Sequence, residues 1–168
     1  KRWALSEAPG VNWLGRIGQK QNLVMKIAAV KPGDKLPYEE IGYDYTVSFQ
    51  VKGAKEEKGT VLFSSAHTKF YISDPREGKL GFERDGYLNT FNYQFFPGEK
   101  ASVTICGNQA ETKLYIDGEL VETLHKQTIY HNEGRDKMYY VRTLTFPLEQ
   151  TGLFQSTITN FKVENFCK

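Results

Sequence analysis

The sequence predicts an all-β fold in which two antiparallel sheets form a sandwich. Aromatic residues are abundant, with 11 Phe, 10 Tyr and 2 Trp among 168 residues, and such side chains favour pleated, half-buried surfaces. Apolar and polar residues alternate over many short segments, which is typical of strands with one buried face. Turn-forming residues separate these segments, and about ten or more short strands spaced in this way indicate a sandwich or barrel.

The strands can be assigned in chain order. Segment 19–30 alternates at Leu23, Met25 and Ile27 and is predicted to be a strand, after a turn-rich stretch at 9–15. Segment 43–52 alternates apolar and polar residues throughout, which predicts one buried face. Further strands are predicted at 60–65, 69–73, 79–84, 87–95, 103–105, 114–116, 119–124, 138–146 and 157–166.

Turn residues mark the reversals between strands. Asp85-Gly86 and Asp117-Gly118 each predict a tight hairpin, because both residue types tolerate positive φ. The mixed-charge run 55–58 predicts a solvated loop, and the mostly polar stretch 126–137 predicts a long loop within the domain. No linker or repeat divides the chain, so residues 1–168 are expected to form a single domain. Its start at Lys1 suggests excision from a larger protein.

Composition and charge exclude several classes of function. The net charge is +2 and the basic residues are scattered, so we expect no nucleic-acid partner. No apolar stretch approaches the ~20 residues of a membrane span. Two cysteines, Cys106 and Cys167, are too few for a disulfide framework or a zinc site. A single bridge and two unpaired apolar residues both remain open.

Two segments of the chain carry a recognisable motif. Residues 96–105 and 112–121 read as a strand, a gap and a Leu-Tyr-Ile-Asp-Gly hairpin, in which Leu114 and Ile116 would face the core and Tyr115 would face away. This pattern resembles the central motif of concanavalin A-like, laminin-G-like jelly-roll domains. Lys100 stands where that family often has Trp. The closing segment 158–165 resembles the family's last strand. The resemblance implies a domain like those appended to secreted bacterial glycoside hydrolases such as β-N-acetylhexosaminidases.

Catalytic motifs are missing from the sequence. Jelly-roll glycosidases carry a Glu-x-Asp-x-Glu strand for their acid and nucleophile, and the chain has no such run. Glu83 and Asp85 are two residues apart, so their side chains would point to the same face of a strand, but Asp85 falls in a hairpin turn. Ser65 and His67 lie close together on one strand, and no aspartate is placed nearby in the sequence to orient the imidazole. We therefore expect no enzymatic activity.

Candidate ligand-binding residues combine exposed aromatic rings with polar groups, as sugar recognition requires. The predicted loop and its flank supply most of them, namely Tyr130, His131, Asn132, Arg135 and Tyr140. Trp13 is added because the turn-rich stretch could seal the sandwich edge or dock onto a neighbouring domain. A solvated loop is the alternative for the first group. Phe91 belongs to a set of aromatic residues at even spacing along the strand predicted over 87–95, and it is interpreted as a core residue.

The resemblance, together with the missing catalytic motifs, thus implies a non-catalytic accessory module of a secreted bacterial glycoside hydrolase. Its expected partner is a carbohydrate or a neighbouring catalytic domain of the same chain, outside the cytoplasm. A freestanding lectin or adhesion domain is the alternative. No cofactor is expected. Calcium stays open and unassigned, because Asp74, Asp85, Asp117 and Asp136 all fall in predicted turns without forming an EF-hand loop.

Overall fold

A computed structural model describes residues 11–15, 23–30, 44–131, 133, 135–140, 142–146, 148–149 and 154–167. The described strands are β1 Val11–Gly15, β2 Leu23–Val30, β3 Tyr45–Lys52, β4 Thr60–Ser64, β5 Thr68–Ser73, β6 Gly81–Arg84 and β7 Tyr87–Thr90. They continue with β8 Lys100–Gly107, β9 Glu111–Ile116, β10 Glu119–His125, β11 Gln127–His131, β12 Asp136–Tyr140 and β13 Thr157–Glu164. Within these ranges no helix is long and apolar enough to cross a membrane.

Two antiparallel sheets form the sandwich, which confirms the predicted fold class. One sheet has seven strands in the order β1-β2-β13-β3-β8-β9-β10, and the other has four in the order β4-β5-β6-β7. Alternation along β3 buries Tyr45, Val47, Phe49 and Val51 and leaves the intervening residues on the outer face. This alternation is the one predicted from the sequence.

Aromatic rings from both sheets fill the core. Phe49 of the large sheet lies with its ring centroid 5.8 Å from that of Phe63 and 6.4 Å from that of Phe70, both in the small sheet. Phe161 of β13 approaches Phe63 to 4.9 Å. Phe91 is fully buried, so its interpretation as a core residue is confirmed. These edge-on and tilted contacts join the sheets.

The two tight turns predicted from the sequence are present, and the two cysteines are bonded to each other. Asp85 and Asp117 have φ of 49° and 52°, and each precedes a positive-φ glycine, as a type I′ hairpin requires. Leu114 and Ile116 are buried as expected. Cys106 and Cys167, left open by the sequence, form a disulfide with their Cα atoms 5.3 Å apart. It fixes the segment after β13 to strand β8.

Four sequence expectations about elements are wrong. The strand predicted over 87–95 ends at Thr90, and residues 91–95 are not in a strand. Residues 127–131 and 136–140 are not a loop but the paired strands β11 and β12, because Thr, Ile and Tyr residues there favour extended backbone. The strand predicted over 138–146 ends at Tyr140. The turn-rich stretch at 9–15 includes strand β1, which pairs with β2. The strand expected from 43 is described from Tyr45.

Candidate functional site

A polar trough lies on the outer face of the seven-stranded sheet. We call it the outer trough, and it has a volume of about 390 Å³. Its polar lining comes from three adjacent strands and one hairpin turn, namely Gln50, Lys52, Lys100, Ser102, Asp117, Thr157 and Thr159. Val51 and Ala101 also line it, although their side chains are buried.

Strand alternation and register bring these residues together. Gln50 and Lys52 follow each other on the outward face of β3. In the ladder with β8, Gln50 is opposite Ser102, and Lys52 is opposite Lys100. On the other side, β13 places Thr159 opposite Gln50. The polar members of three strands therefore form neighbouring rows on one face.

Local hydrogen bonds hold the walls of the outer trough in place. Asp117 accepts the backbone N–H of Ser102 on its carboxylate at 2.8 Å, which ties the β9–β10 turn to β8. Asn160, with φ of 51°, donates from its side-chain amide to the side-chain oxygen Oε1 of Gln50 at 2.6 Å. The backbone irregularity in the β13–β3 ladder follows Thr159, so the bulge aims Asn160 at the trough wall.

A half-buried tyrosine and an exposed leucine continue the same sheet face. Tyr115 of β9 is opposite Thr104 on one side and Leu120 on the other. Thr104 shares its face with Ser102 two residues away, a separation of ~7 Å along the strand. The side chain of Leu120 is 53% exposed. Polar groups that can bind hydroxyls are thus continuous with a small apolar and aromatic patch.

The charged loop before β4 orders the beginning of β13. The loop predicted over 55–58 is confirmed as a connection between β3 and β4. Its Glu56 carboxylate accepts the Ser156 N–H at 2.8 Å and the Ser156 hydroxyl at 2.6 Å. Thr157, which lines the outer trough, therefore follows directly after a fixed residue.

The residues predicted to bind ligand lie elsewhere. Tyr130 and His131 belong to β11, where they are opposite Lys137 and Asp136 of β12. Tyr140 is at the end of β12 opposite Gln127. Arg135 is exposed in the turn, with its guanidinium 3.7 Å from the Glu133 carboxylate. Asn132 lies outside the described residues.

Trp13 is separated from that group. It lies in β1, opposite Met25, at one edge of the large sheet. The strands β11 and β12 follow β10, which forms the opposite edge. The structure therefore brings four of the predicted residues into one two-stranded ribbon and does not add Trp13 to it.

A second, smaller cavity of about 210 Å³ surrounds His67 on the four-stranded sheet. Asp85, 18 residues further along, lies with its carboxylate 3.2 Å from His67 Nδ1, so the hairpin supplies the partner that the sequence did not show. The Ser65 hydroxyl instead bonds those of Thr68 and Thr145, at 2.6 and 2.5 Å. The Asp85 side chain is 53% exposed, whereas the aspartate that orients the histidine of a catalytic triad is buried.

Three of the four aspartates considered for calcium, Asp74, Asp85 and Asp117, make contacts within the protein, and the side chain of Asp136 is outside the described part of the structure. Asp74 is fully buried and accepts N–H groups of Arg76, Glu77 and Lys79 on its two oxygens. Asp85 contacts His67, and Asp117 contacts Ser102. Among the described residues, no three His, Cys, Asp or Glu side chains are grouped as a metal site would require.

Comparison with known proteins gives similarity of fold alone. The sequence matches no protein-family model and no curated protein. The structure is similar to domain 4 of AbnA, a GH43 extracellular arabinanase from Geobacillus stearothermophilus solved with arabinotriose, at a TM-score of 0.50 and 13% identity. That match covers 96% of this chain and 78% of the other, and it supports a β-sandwich assignment.

Two weaker similarities involve parts of larger proteins. One is to botulinum neurotoxin type C, whose cell entry depends on two ganglioside molecules, at a TM-score of 0.48 and 16% identity over 98% of this chain. The other is to Trypanosoma rangeli sialidase bound to 2,3-difluorosialic acid, at a TM-score of 0.44 and 12% identity over 96% of this chain. The chain spans 42% and 31% of those proteins.

Proposed function

We propose that this domain is a non-catalytic module that binds a glycan in the outer trough. The observation that carries the proposal is the meeting of an amide, hydroxyls, a carboxylate and ammonium groups in one open concavity, with Tyr115 and Leu120 alongside. Sugars present many hydroxyls and one apolar ring face, and such a surface offers partners for both. The fold shared with the arabinanase domain solved with arabinotriose is consistent with this role.

We further propose that the parent protein is a secreted bacterial glycoside hydrolase, for example of the β-N-acetylhexosaminidase kind. In that context the module would bind glycan weakly or pack against the catalytic domain. The Cys106–Cys167 disulfide supports a compartment outside the cytoplasm, because such bonds persist in oxidising environments. A freestanding lectin or adhesion domain is the alternative, and the parent sequence would distinguish the two.

Two surfaces are candidates for the glycan site. The ribbon of β11 and β12 carries Tyr130, His131, Arg135 and Tyr140, which the sequence favoured. In the outer trough the Asp117 carboxylate and the Gln50 side-chain amide are held by hydrogen bonds before any ligand arrives, so less ordering entropy is lost when these two groups bind a ligand. We therefore place the glycan in the trough.

Binding can be measured by calorimetry and by melting shifts with soluble oligosaccharides, namely arabino-, xylo-, chito- and galacturono-oligomers and sialyllactose. A ligand that binds only the native state raises the melting temperature. We expect Gln50→Ala to weaken binding, because it removes an exposed amide from the trough wall. Gln109→Ala is the matched control, since Gln109 is exposed in the turn between β8 and β9 at the other end of the sheet.

A second pair of variants tests the ribbon. Arg135→Ala alters its exposed turn and should leave affinity unchanged if the trough is the site. Loss of binding in Arg135→Ala with full binding in Gln50→Ala would move the site to the ribbon. Failure of every oligosaccharide to bind or to shift the melting temperature would refute the glycan-binding proposal, and hydrolysis of aryl glycosides by the domain alone would refute its non-catalytic nature.

A further inference from the structure

The outer trough contains two lysines that face each other across a strand pair. Lys52 of β3 and Lys100 of β8 are direct cross-strand neighbours, and both are exposed on the outer face. Directly opposite residues in an antiparallel ladder have Cβ atoms about 5 Å apart. Like charges in this arrangement repel, so the pair costs stability in the free protein.

Neither lysine has an ion-pair partner in the described part of the chain. Among the residues that the structure describes, none with a carboxylate lies within ion-pair distance of Lys52 or Lys100, whereas three other lysines each have such a partner. The next residue across the sheet from Lys52 is Thr157, which is uncharged. The two ammonium groups therefore form a local positive centre in a protein whose net charge is only +2.

The opposite end of the trough has a different character. Ser102, two residues along β8 from Lys100 and thus ~7 Å away, lies beside the Asp117 carboxylate, which accepts its N–H. Gln50 is opposite Ser102. That end offers an anion, an amide and a hydroxyl, all of which bind sugar hydroxyls and none of which favours a second negative charge.

We propose that the ligand is an acidic glycan whose anionic group sits between Lys52 and Lys100 while its hydroxyls meet Gln50, Ser102 and Asp117. The inference rests on the proposed glycan-binding function and adds the charge class of the ligand. A polyanion with closely spaced charges is disfavoured, because it would bring negative charge against Asp117. Carboxylated and sulfated sugars share the required chemistry, and separate ligands in the test distinguish them.

The test compares ligands that differ only in charge. Calorimetry measures the intact domain with the singly charged oligomer sialyllactose, with its uncharged methyl ester, and with a lactose that carries a single sulfate group. We expect the acidic oligomer to bind about five- to tenfold more tightly than its ester at low salt, the gain expected from two solvent-exposed ion pairs, and the gain to shrink at high salt. Whichever acidic ligand binds more tightly identifies the anion.

The variants separate this inference from the proposed function. Lys52→Gln/Lys100→Gln should abolish the preference for the acidic oligomer, so that acid and ester bind with equal affinity, and should keep or raise the melting temperature because the repulsion is gone. Lys58→Gln/Lys69→Gln removes two exposed lysines elsewhere and should retain the preference. Equal binding of acid and ester, or an unchanged preference in the Lys52/Lys100 variant, would overturn the inference and leave glycan binding intact. No binding of any oligosaccharide would overturn both.

Discussion

Tyr45 shows how one side chain can link the sheet to an irregular segment in the core. The residue is fully buried at the start of β3, with its hydroxyl 2.7 Å from the Thr143 hydroxyl, and it accepts the Leu144 N–H at 3.1 Å. Its ring lies against Gly107, where any Cβ would collide with it. Burial raises the pKa of Tyr45 above the ordinary value of about 10.

Tyr45→Phe tests this arrangement. The variant should lose about 1–3 kcal/mol of unfolding free energy near neutral pH, because buried donors and acceptors lose their partner. Equilibrium denaturant unfolding measures the loss. Tyr87→Phe is the control, because its side chain is 47% exposed and the change should be small. Equal midpoints for the two variants would contradict the prediction.

The same tyrosine predicts a response to alkaline pH. Because its pKa is raised in the folded protein, the unfolded chain loses the phenolic proton first, and the stability contributed by Tyr45 is present below about pH 10 and lost as pH rises through the folded pKa. Burial raises the pKa of Tyr93 and Tyr71 as well, with Glu99 and Glu83 adding to the respective shifts. Stability should therefore fall above about pH 10, and it should fall less steeply in Tyr45→Phe than in the wild type.

Residue placement was predictable wherever one face of a strand is buried. Alternation located Val47 and Phe49 inside and Gln50 and Lys52 outside, because the two-residue period of a strand forces that division. The pairing of Lys52 with Lys100 was not predictable. Nearly fifty residues separate them, and cross-strand register depends on packing of the whole sheet.

At the scale of elements, the disulfide is the main covalent constraint on the end of the chain. Cys106 lies in β8 and Cys167 follows β13, at a sequence separation of 61. Beside the bridge, the Thr46 hydroxyl donates to the Phe166 carbonyl at 2.5 Å. The segment after β13 is thus attached both to β8 and to β3.

Removing the bridge should destabilise the domain. For a closed loop of this length, chain entropy predicts a loss of about 4 kcal/mol of unfolding free energy. This is an upper estimate, because measured disulfides often stabilise by less. The denaturant midpoint of Cys106→Ser/Cys167→Ser would be compared with that of the wild type, with and without reductant. If reductant shifts the denaturant midpoint equally in the variant and the wild type, the bridge does not contribute to stability.

Elements were predicted well where turns are sharp and poorly where strands are short. The hairpins at Asp85 and Asp117 followed from local backbone preference alone. The segment 142–145 was mistaken for the end of a strand because it contains β-favouring residues. In the structure Arg142 accepts the Thr112 hydroxyl on its carbonyl oxygen and Leu144 donates to Tyr45, so tertiary hydrogen bonds replace strand pairing.

At the scale of the whole molecule, the β11–β12 ribbon is a separate sheet inserted into the sandwich. Its two strands pair only with each other in the described part of the chain. The insertion points are anchored close together, since Lys126 donates its N–H to Ala110 at 2.9 Å and the Arg142 carbonyl oxygen accepts the Thr112 hydroxyl at 2.6 Å.

The ribbon should therefore be removable. Replacing residues 127–140 with a short Gly-Ser linker is expected to leave a cooperatively folded domain with β-type circular dichroism, because a short flexible linker can join anchors that are already close. If the outer trough is the glycan site, the shortened protein should also retain ligand affinity. A shortened domain that fails to fold would show that the ribbon packs onto the sandwich.

Fold class was the most predictable property of the molecule, because period-two alternation recurs in most of the chain. The candidate site was the least predictable, since it is made of outward residues that any solvated strand could carry. Only the adjacency of β13, β3 and β8 turns these ordinary positions into one surface.

That adjacency has a consequence for biosynthesis. Strand β13 is inserted between β2 and β3, so Asn160 bonds Gln50 across 110 residues of sequence. On the ribosome, β2 and β3 must each keep one edge open until β13 has left the exit tunnel, since each lacks one of its two native neighbours before then. The nascent chain should stay protease-sensitive until that moment, and chaperones that mask bare strand edges should remain associated with it until β13 has emerged.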